Sequence, residues 1–361
     1  MATIFSYIRI AILASMLMTA FTCPMARAVR SSVPGSMPDL LTSQQRSNTQ
    51  SDSTYPFEFH SGFWINLHHF LYEQALLRKQ AASARQQTNS AANPATINQL
   101  PQAEQQLWNS ALDYYTDSMI KRDLLFDDNL VAINDRLAEL EAASDLSRSG
   151  LNSDLVKILE SVAPVYRAHW WPQHDRVNRF WIAVATPMVR QFSRTLIEQL
   201  ARAYRAKWPA GLIRVEVVEY ANWAGAYTSV DDAQKPHITM CSADADNQGF
   251  SALELLFHES SHSMVGPNNG AVAEAIAREC HAKNRPIPNG LWHAIIFYTA
   301  GELARRNLSE YGVSDYKPYG YRGLYARAWP NFQRPLELYW QPYLDGSVDF
   351  DKAISSLIGA L

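Results

Sequence analysis

The stretch on which the reading turns runs Phe250-Ser-Ala-Leu-Glu-Leu-Leu-Phe-His-Glu-Ser-Ser-His-Ser-Met264. Ser251 and Glu254 stand three apart, the spacing of a capping box that satisfies free backbone donors at a helix start. Leu253, Leu256, Phe257, Ser260 and Met264 recur at helical spacing, which predicts one packing face. At about 100° per residue, His258 and His262 fall on nearly the opposite side, one turn apart. Two imidazoles so placed can grip a single ion. Glu259 is displaced around the cylinder, within reach of a water at that ion without taking a coordination position.

Those residue types suit one chemistry. Neutral imidazole binds zinc well, and zinc lowers the pKa of a bound water towards about 7. A neighbouring carboxylate can then take the proton and pass it to a leaving amine. His258-Glu259-Ser-Ser-His262 resembles the active-site helix of the zincin metallopeptidases. By position, the resemblance implies one Zn2+ ion held by His258 and His262, with Glu259 as general base. The likeness is specific at the motif and loose over residues 212–305.

The third ligand selects the subclass. The metzincin extension is absent, because Val265 stands where Gly is needed and Asn268 where His is needed. A gluzincin-like glutamate further on is the alternative, and Glu302 is the leading candidate. It lies in Phe297-Tyr-Thr-Ala-Gly-Glu302-Leu, where Thr299, Ala300 and Gly301 are small enough to let two helices approach. A carboxylate in so apolar a helix needs a partner. Zinc is one, and Arg305 or Arg306 one turn on is another. Glu274 and Glu279 are rivals on the intervening segment. His293 shares the helix of Glu302 but points about 180° away, so the two cannot both be ligands. The phenol-rich loop Tyr316-Lys-Pro-Tyr319-Gly-Tyr321 offers an oxyanion donor, with Tyr319 first among its members. Trp223-Ala-Gly-Ala-Tyr227 resembles the family's edge strand, which takes an extended peptide by strand addition.

Periodicity supplies the frame. Ile213, Val215 and Val217 alternate with Arg214 and Glu216, as a strand does, and Gly225–Val230 and His237–Met240 are two more candidates. Helical patterns follow over Ser251–Met264, Ala271–Ala282, Leu291–Arg306, Pro330–Trp340 and Val348–Leu361. Before Pro209 the pattern is helical throughout. Phe63, Leu67, Phe70, Leu71 and Leu77 share a face, and further helices are expected around residues 107–119 and 129–143. A long segment from Asp154 to Trp208 should be broken or kinked at Pro164, Pro172 and Pro187. The expected class is α+β and predominantly helical, with a zincin-like catalytic unit at 210–361 preceded by a helical region at 55–209. The remaining histidines, including His60, His68, His69, His169, His174 and His237, are expected to be satisfied partners in packed surroundings.

Bulk properties bound the function. The 361 residues carry a formal net charge of −3, which supplies no basic field for nucleic acid. Arg9, the apolar run Ile10–Phe21 and Ala26-Arg27-Ala28 have the order of a secretory signal, assigned to residues 1–28. Residues 29–54, rich in Ser, Thr, Gln and Pro, suit a flexible linker. The chain is thus expected to be exported, periplasmic or secreted, with no transmembrane span after cleavage. Cys241 and Cys280 would then form a disulfide or remain two buried thiols. Together these features point to a zinc-dependent hydrolase of the metallopeptidase kind acting on an extended peptide or protein. The alternative is a non-catalytic, zinc-binding envelope protein of zincin fold.

Overall fold

The computed structural model describes residues 55–88, 97–231 and 235–361, all within one unit that runs from Thr54 to Leu361. The expected signal and linker lie outside the described residues. The alternation of Ile213 to Val218 does form a strand, β2 (Ile213–Val218), and it has company on both sides. The short stretch Phe57-Glu-Phe-His60 forms β1 (Phe57–His60) and pairs parallel to β2, Phe57 opposite Ile213. β3 (Ala226–Val230) and β4 (Pro236–Cys241) complete a sheet of order β1-β2-β4-β3. β4 runs parallel to β2, and β3 runs antiparallel to β4 at the edge.

Alternate strand residues feed two apolar bodies. Val215, Val217, Ile238 and Met240 face one, and Val218, Tyr227 and Cys241 face the other. The second body is built by α1 (Phe63–Thr88), α2 (Gln102–Tyr114), α3 (Asp128–Glu139) and α4 (Ser153–His169). The first takes α5 (Trp171–Tyr204), α6 (Phe250–Ser261), α7 (Gly270–Ala282), α8 (Leu291–Glu310) and the C-terminal helix Phe350–Ala360. The fold is α+β with mostly helical mass. No structural division falls at residue 209: β1 comes from the first region, and α5 packs into the same body as the motif helix.

The expectation of a break at each proline fails in part. Pro164 and Pro187 sit inside α4 and α5 without ending them. The missing hydrogen bond at Pro187 is outweighed by the burial of Trp181, Val189, Phe192 and Leu196 along α5. The break comes instead at Trp170, after which Pro172 occupies a first-turn position where its absent N–H costs nothing. The segment expected as a helix over Pro330–Trp340 is helical from Gln333, passes through a π-helical stretch at Leu336–Trp340 and runs on to Leu344. Cys241 and Cys280 are both free and buried, and the Cys241 thiol donates to the Glu219 carbonyl at 2.8 Å. Among the described residues no helix is long and apolar enough to cross a membrane.

Candidate metal centre

α6 is buried on every side from Ser251 to Ser261, not divided into a packed face and an open one. Its capping box is not made. Gly249, at φ +57°, precedes the helix, and Ser251 and Ala252 close the first turn through the Gln248 and Gly249 carbonyls. Glu254 is drawn elsewhere. It lies one turn before His258, and its carboxylate accepts from the Tyr316 hydroxyl and from the Tyr319 backbone N–H at 3.0 Å. Burial raises its pKa to about 7, against those two hydrogen bonds.

α8 packs along this side of α6. Positions 293, 297 and 301 follow at i+4 spacing and form the contact face. Gly301 meets Glu254, Phe297 covers His258, and His293 lies between the two motif histidines. A Cβ on Gly301 would stand 2.8 Å from the Pro318 Cβ and 2.9 Å from Glu254 Oε1, so glycine sets the helix approach. Gly301→Ala is expected to destabilise the protein by about 1–3 kcal/mol through overpacking. Urea denaturation of the variant beside wild type checks this, and an unchanged midpoint would contradict the tight approach.

His258, His262 and His293 each present a ligand atom, and all three atoms lie within 4.8 Å of one another. The Nε2 atoms of His258 and His293 are 3.2 Å apart. That is close to the edge of a tetrahedron of nitrogens around zinc, about 3.3 Å for Zn–N bonds near 2.0–2.1 Å. Burial, with the neighbouring imidazoles adding to it, holds His258 and His293 well below the usual histidine range. Burial takes His262 down to about 3. All three rings are therefore neutral at pH 7, the form that binds a metal. Their Nδ1 atoms are buried without a hydrogen-bond partner among the described residues. The Nε2 atoms of His258 and His293 converge, with a ligand atom of His262 close by, and a divalent cation among them would take their lone pairs. The donor set fits zinc.

Glu259 stands beside the set. Its Oε2 lies 3.9 Å from His262 Nε2 and accepts from the Thr228 hydroxyl at 2.6 Å. Thr228 belongs to β3 and also donates to the Glu259 carbonyl at 3.0 Å. The edge strand thus fixes the carboxylate. Burial raises its pKa to about 7, while the Thr228 hydrogen bond pulls the other way. Around the site is a shell of aromatic rings. Trp292 stacks on His293, and Trp329 meets His293 edge-on.

The structure brings together His258, Glu259 and His262, and adds His293 in place of Glu302. The Glu302 carboxylate faces away from the triad and is held by Arg305 at 2.7 and 2.8 Å and by Arg306 at 2.7 Å. These guanidiniums keep its pKa low against the opposing effect of its burial. Glu274 is exposed, and Glu279 pairs with Lys283. The half-turn separation of His293 and Glu302 was readable from the sequence; which side faced α6 was not. Gly301 carried the signal, since the helix face of closest approach is the face of Gly301, Phe297 and His293. Tyr319 stacks parallel to Phe297 with ring centres 5.8 Å apart, on the aromatic wall over His258.

Six of the other histidines have side-chain partners. His68 pairs with Tyr115, His174 with Tyr166, His169 with Glu104, and His60 with Glu141. His69 bonds the Tyr220 carbonyl and Asn134, and His237 bonds Asp135 and approaches Glu216. No protein-family model, curated protein or solved structure matches the chain.

Proposed function

We propose that this protein is a zinc-dependent hydrolase of the zincin kind, acting on peptide bonds. The observation that carries the reading is the convergence of three buried, neutral imidazoles beside a carboxylate oriented by an edge strand. Zinc held by His258, His262 and His293 would supply a Lewis acid that polarises a carbonyl and acidifies water. Glu259, fixed by Thr228 beside the imidazoles, is placed to take a proton from water and return it to the leaving amine. Thr228 keeps the Glu259 carboxylate from swinging away. Tyr319 is proposed as the phenol that meets the developing oxyanion.

The place of β3 at the end of the strand order supports the peptide assignment, because Thr228 ties that strand to the general base. A polypeptide paired to β3 would pass beside Glu259. Purified protein is expected to hold one zinc per chain and to cleave unstructured peptides, with cleavage abolished by a chelator and restored by zinc. Stoichiometric zinc without cleavage of any peptide would favour the non-catalytic envelope protein. Absence of zinc would remove both readings.

A further inference from the structure

The metal centre is closed. His258, Glu259, His262 and His293 are each no more than 6% exposed, so water scarcely touches them. On the side of His258 the wall is made of side chains. Phe297 covers the His258 ring with ring centres 3.7 Å apart, Tyr319 stacks on Phe297, and both of these rings are partly exposed. Trp329 continues the wall against His293 and Phe297. Phe297 is fixed in α8. Tyr319 and Trp329 belong to residues 313–332, a strap that follows α8 and holds little regular structure: a 3-10 turn at Tyr319–Arg322 and a short helix at Leu324–Ala328.

A polar tie from α6 pins this strap. Glu254 is fully buried, and its carboxylate accepts from the Tyr316 hydroxyl and, at 3.0 Å on each oxygen, from the Tyr319 N–H. The carboxylate and Pro318 of the strap both crowd the place where a Cβ on Gly301 would stand, so the glycine opens the gap through which α6 touches the strap. Among the described residues no basic side chain bonds Glu254, and Arg322 acts on it only through space, from within the strap. A buried carboxylate without an ion-pair partner is costly, and an apolar side chain would join the helices at less cost. What the carboxylate adds is position. Its hydrogen bonds fix Tyr316 and Tyr319, and with them the ring that lies on Phe297.

We infer that Glu254 is the positioning residue of a lid: it pins residues 313–332 over the metal centre, and a ligand reaches the imidazoles when the strap lifts. The inference rests on the metal reading proposed above and names how that site is opened. Tyr316, Tyr325 and Trp329 are buried parts of the strap, so the closed form is the resting one. Glu254 sets how rarely the strap leaves it. Loosening that tie should speed the opening of the strap and leave the helices beneath it intact.

The test needs no substrate. Hydrogen exchange is followed at the Tyr321, Arg327 and Trp329 amides, each bonded within the strap, beside the amides of α8. Zinc transfer from the loaded protein to an excess of a chromogenic chelator is timed on the same samples. Glu254→Met keeps the length of the side chain and removes its acceptors, while Tyr316→Phe removes one donor and leaves the ring packed. In both variants strap exchange and zinc transfer are expected to quicken about tenfold, with α8 unchanged. Glu254→Gln, whose oxygen still accepts from the Tyr319 N–H, is expected to stay within about threefold of wild type. Strap amides that keep the wild-type rate in both variants, or zinc transfer that stays slow while the strap opens, would overturn the inference. Exchange that quickens equally in α8 would overturn it too, since Glu254 would then support the whole body. If the strap responds as described but the purified protein holds no zinc, the pinned strap stands and the metal reading falls.

Discussion

His293→Ala protein is expected to emerge from purification without zinc, whereas Glu302→Ala protein keeps its full complement. The expectation rests on which face of α8 meets α6. His293 Nε2 stands 3.2 Å from His258 Nε2 inside the shell formed by Trp292, Phe297 and Trp329. Removing it leaves two imidazoles, too few to hold zinc against competing chelators. Loss of an outer-sphere partner alone typically costs 10–100-fold in affinity, so loss of a ligand should exceed about 100-fold. Metal analysis after dialysis against a weak chelator reads this directly. Zinc retained in His293→Ala would exclude that residue as a ligand.

The Glu302 arm of the experiment has its own cost. Its carboxylate bonds Arg305, Arg306 and, at 3.3 Å, the Gln341 amide. Truncation leaves those donors short of an acceptor, and a loss of about 1–3 kcal/mol in stability is expected. Arg305 and Arg306 are partly exposed, so water recovers some of that loss. The two variants thus separate cleanly: one loses metal, the other loses stability. A result in which Glu302→Ala lost zinc at unchanged stability would reverse the assignment.

The sequence made part of this legible. The first strand after Leu212 was readable because Ile213, Val215 and Val217 alternate with Arg214 and Glu216, and that period has no helical equivalent. The motif helix was readable because His258 and His262 are a turn apart on a strongly apolar segment. β1 was not readable, since Phe57-Glu-Phe-His60 is too short for periodicity to speak and its partner lies over 150 positions away. The third histidine was hidden for a different reason. Helical geometry excludes having both His293 and Glu302 at the site, but the choice between them depends on tertiary packing. That packing is decided by Gly301 against Pro318 and Glu254, contacts between residues remote in sequence. The failed capping box is the same lesson: Glu254 has a local partner available, and the loop at Tyr316–Tyr319 outcompetes it.

Glu259→Gln is expected to keep zinc and fold while losing turnover by about 10²–10⁴-fold, the usual contribution of a general base. The substitution is nearly isosteric, and a glutamine oxygen can still accept from the Thr228 hydroxyl. A buried carboxyl is replaced by a neutral amide, so no stability is lost to an unpaired charge. What disappears is the capacity to take a proton. Steady-state kinetics on a cleaved peptide, with metal content and melting temperature measured on the same samples, check the three parts together. The loss should fall on kcat with KM little changed, because Glu259 acts on the moving proton and not on the ligand's backbone. Retained activity with full zinc would mean that another group serves as base. Lost zinc would mean that Glu259 helps hold the imidazoles in place, and the catalytic assignment would have to move from the carboxylate to the metal site as a whole.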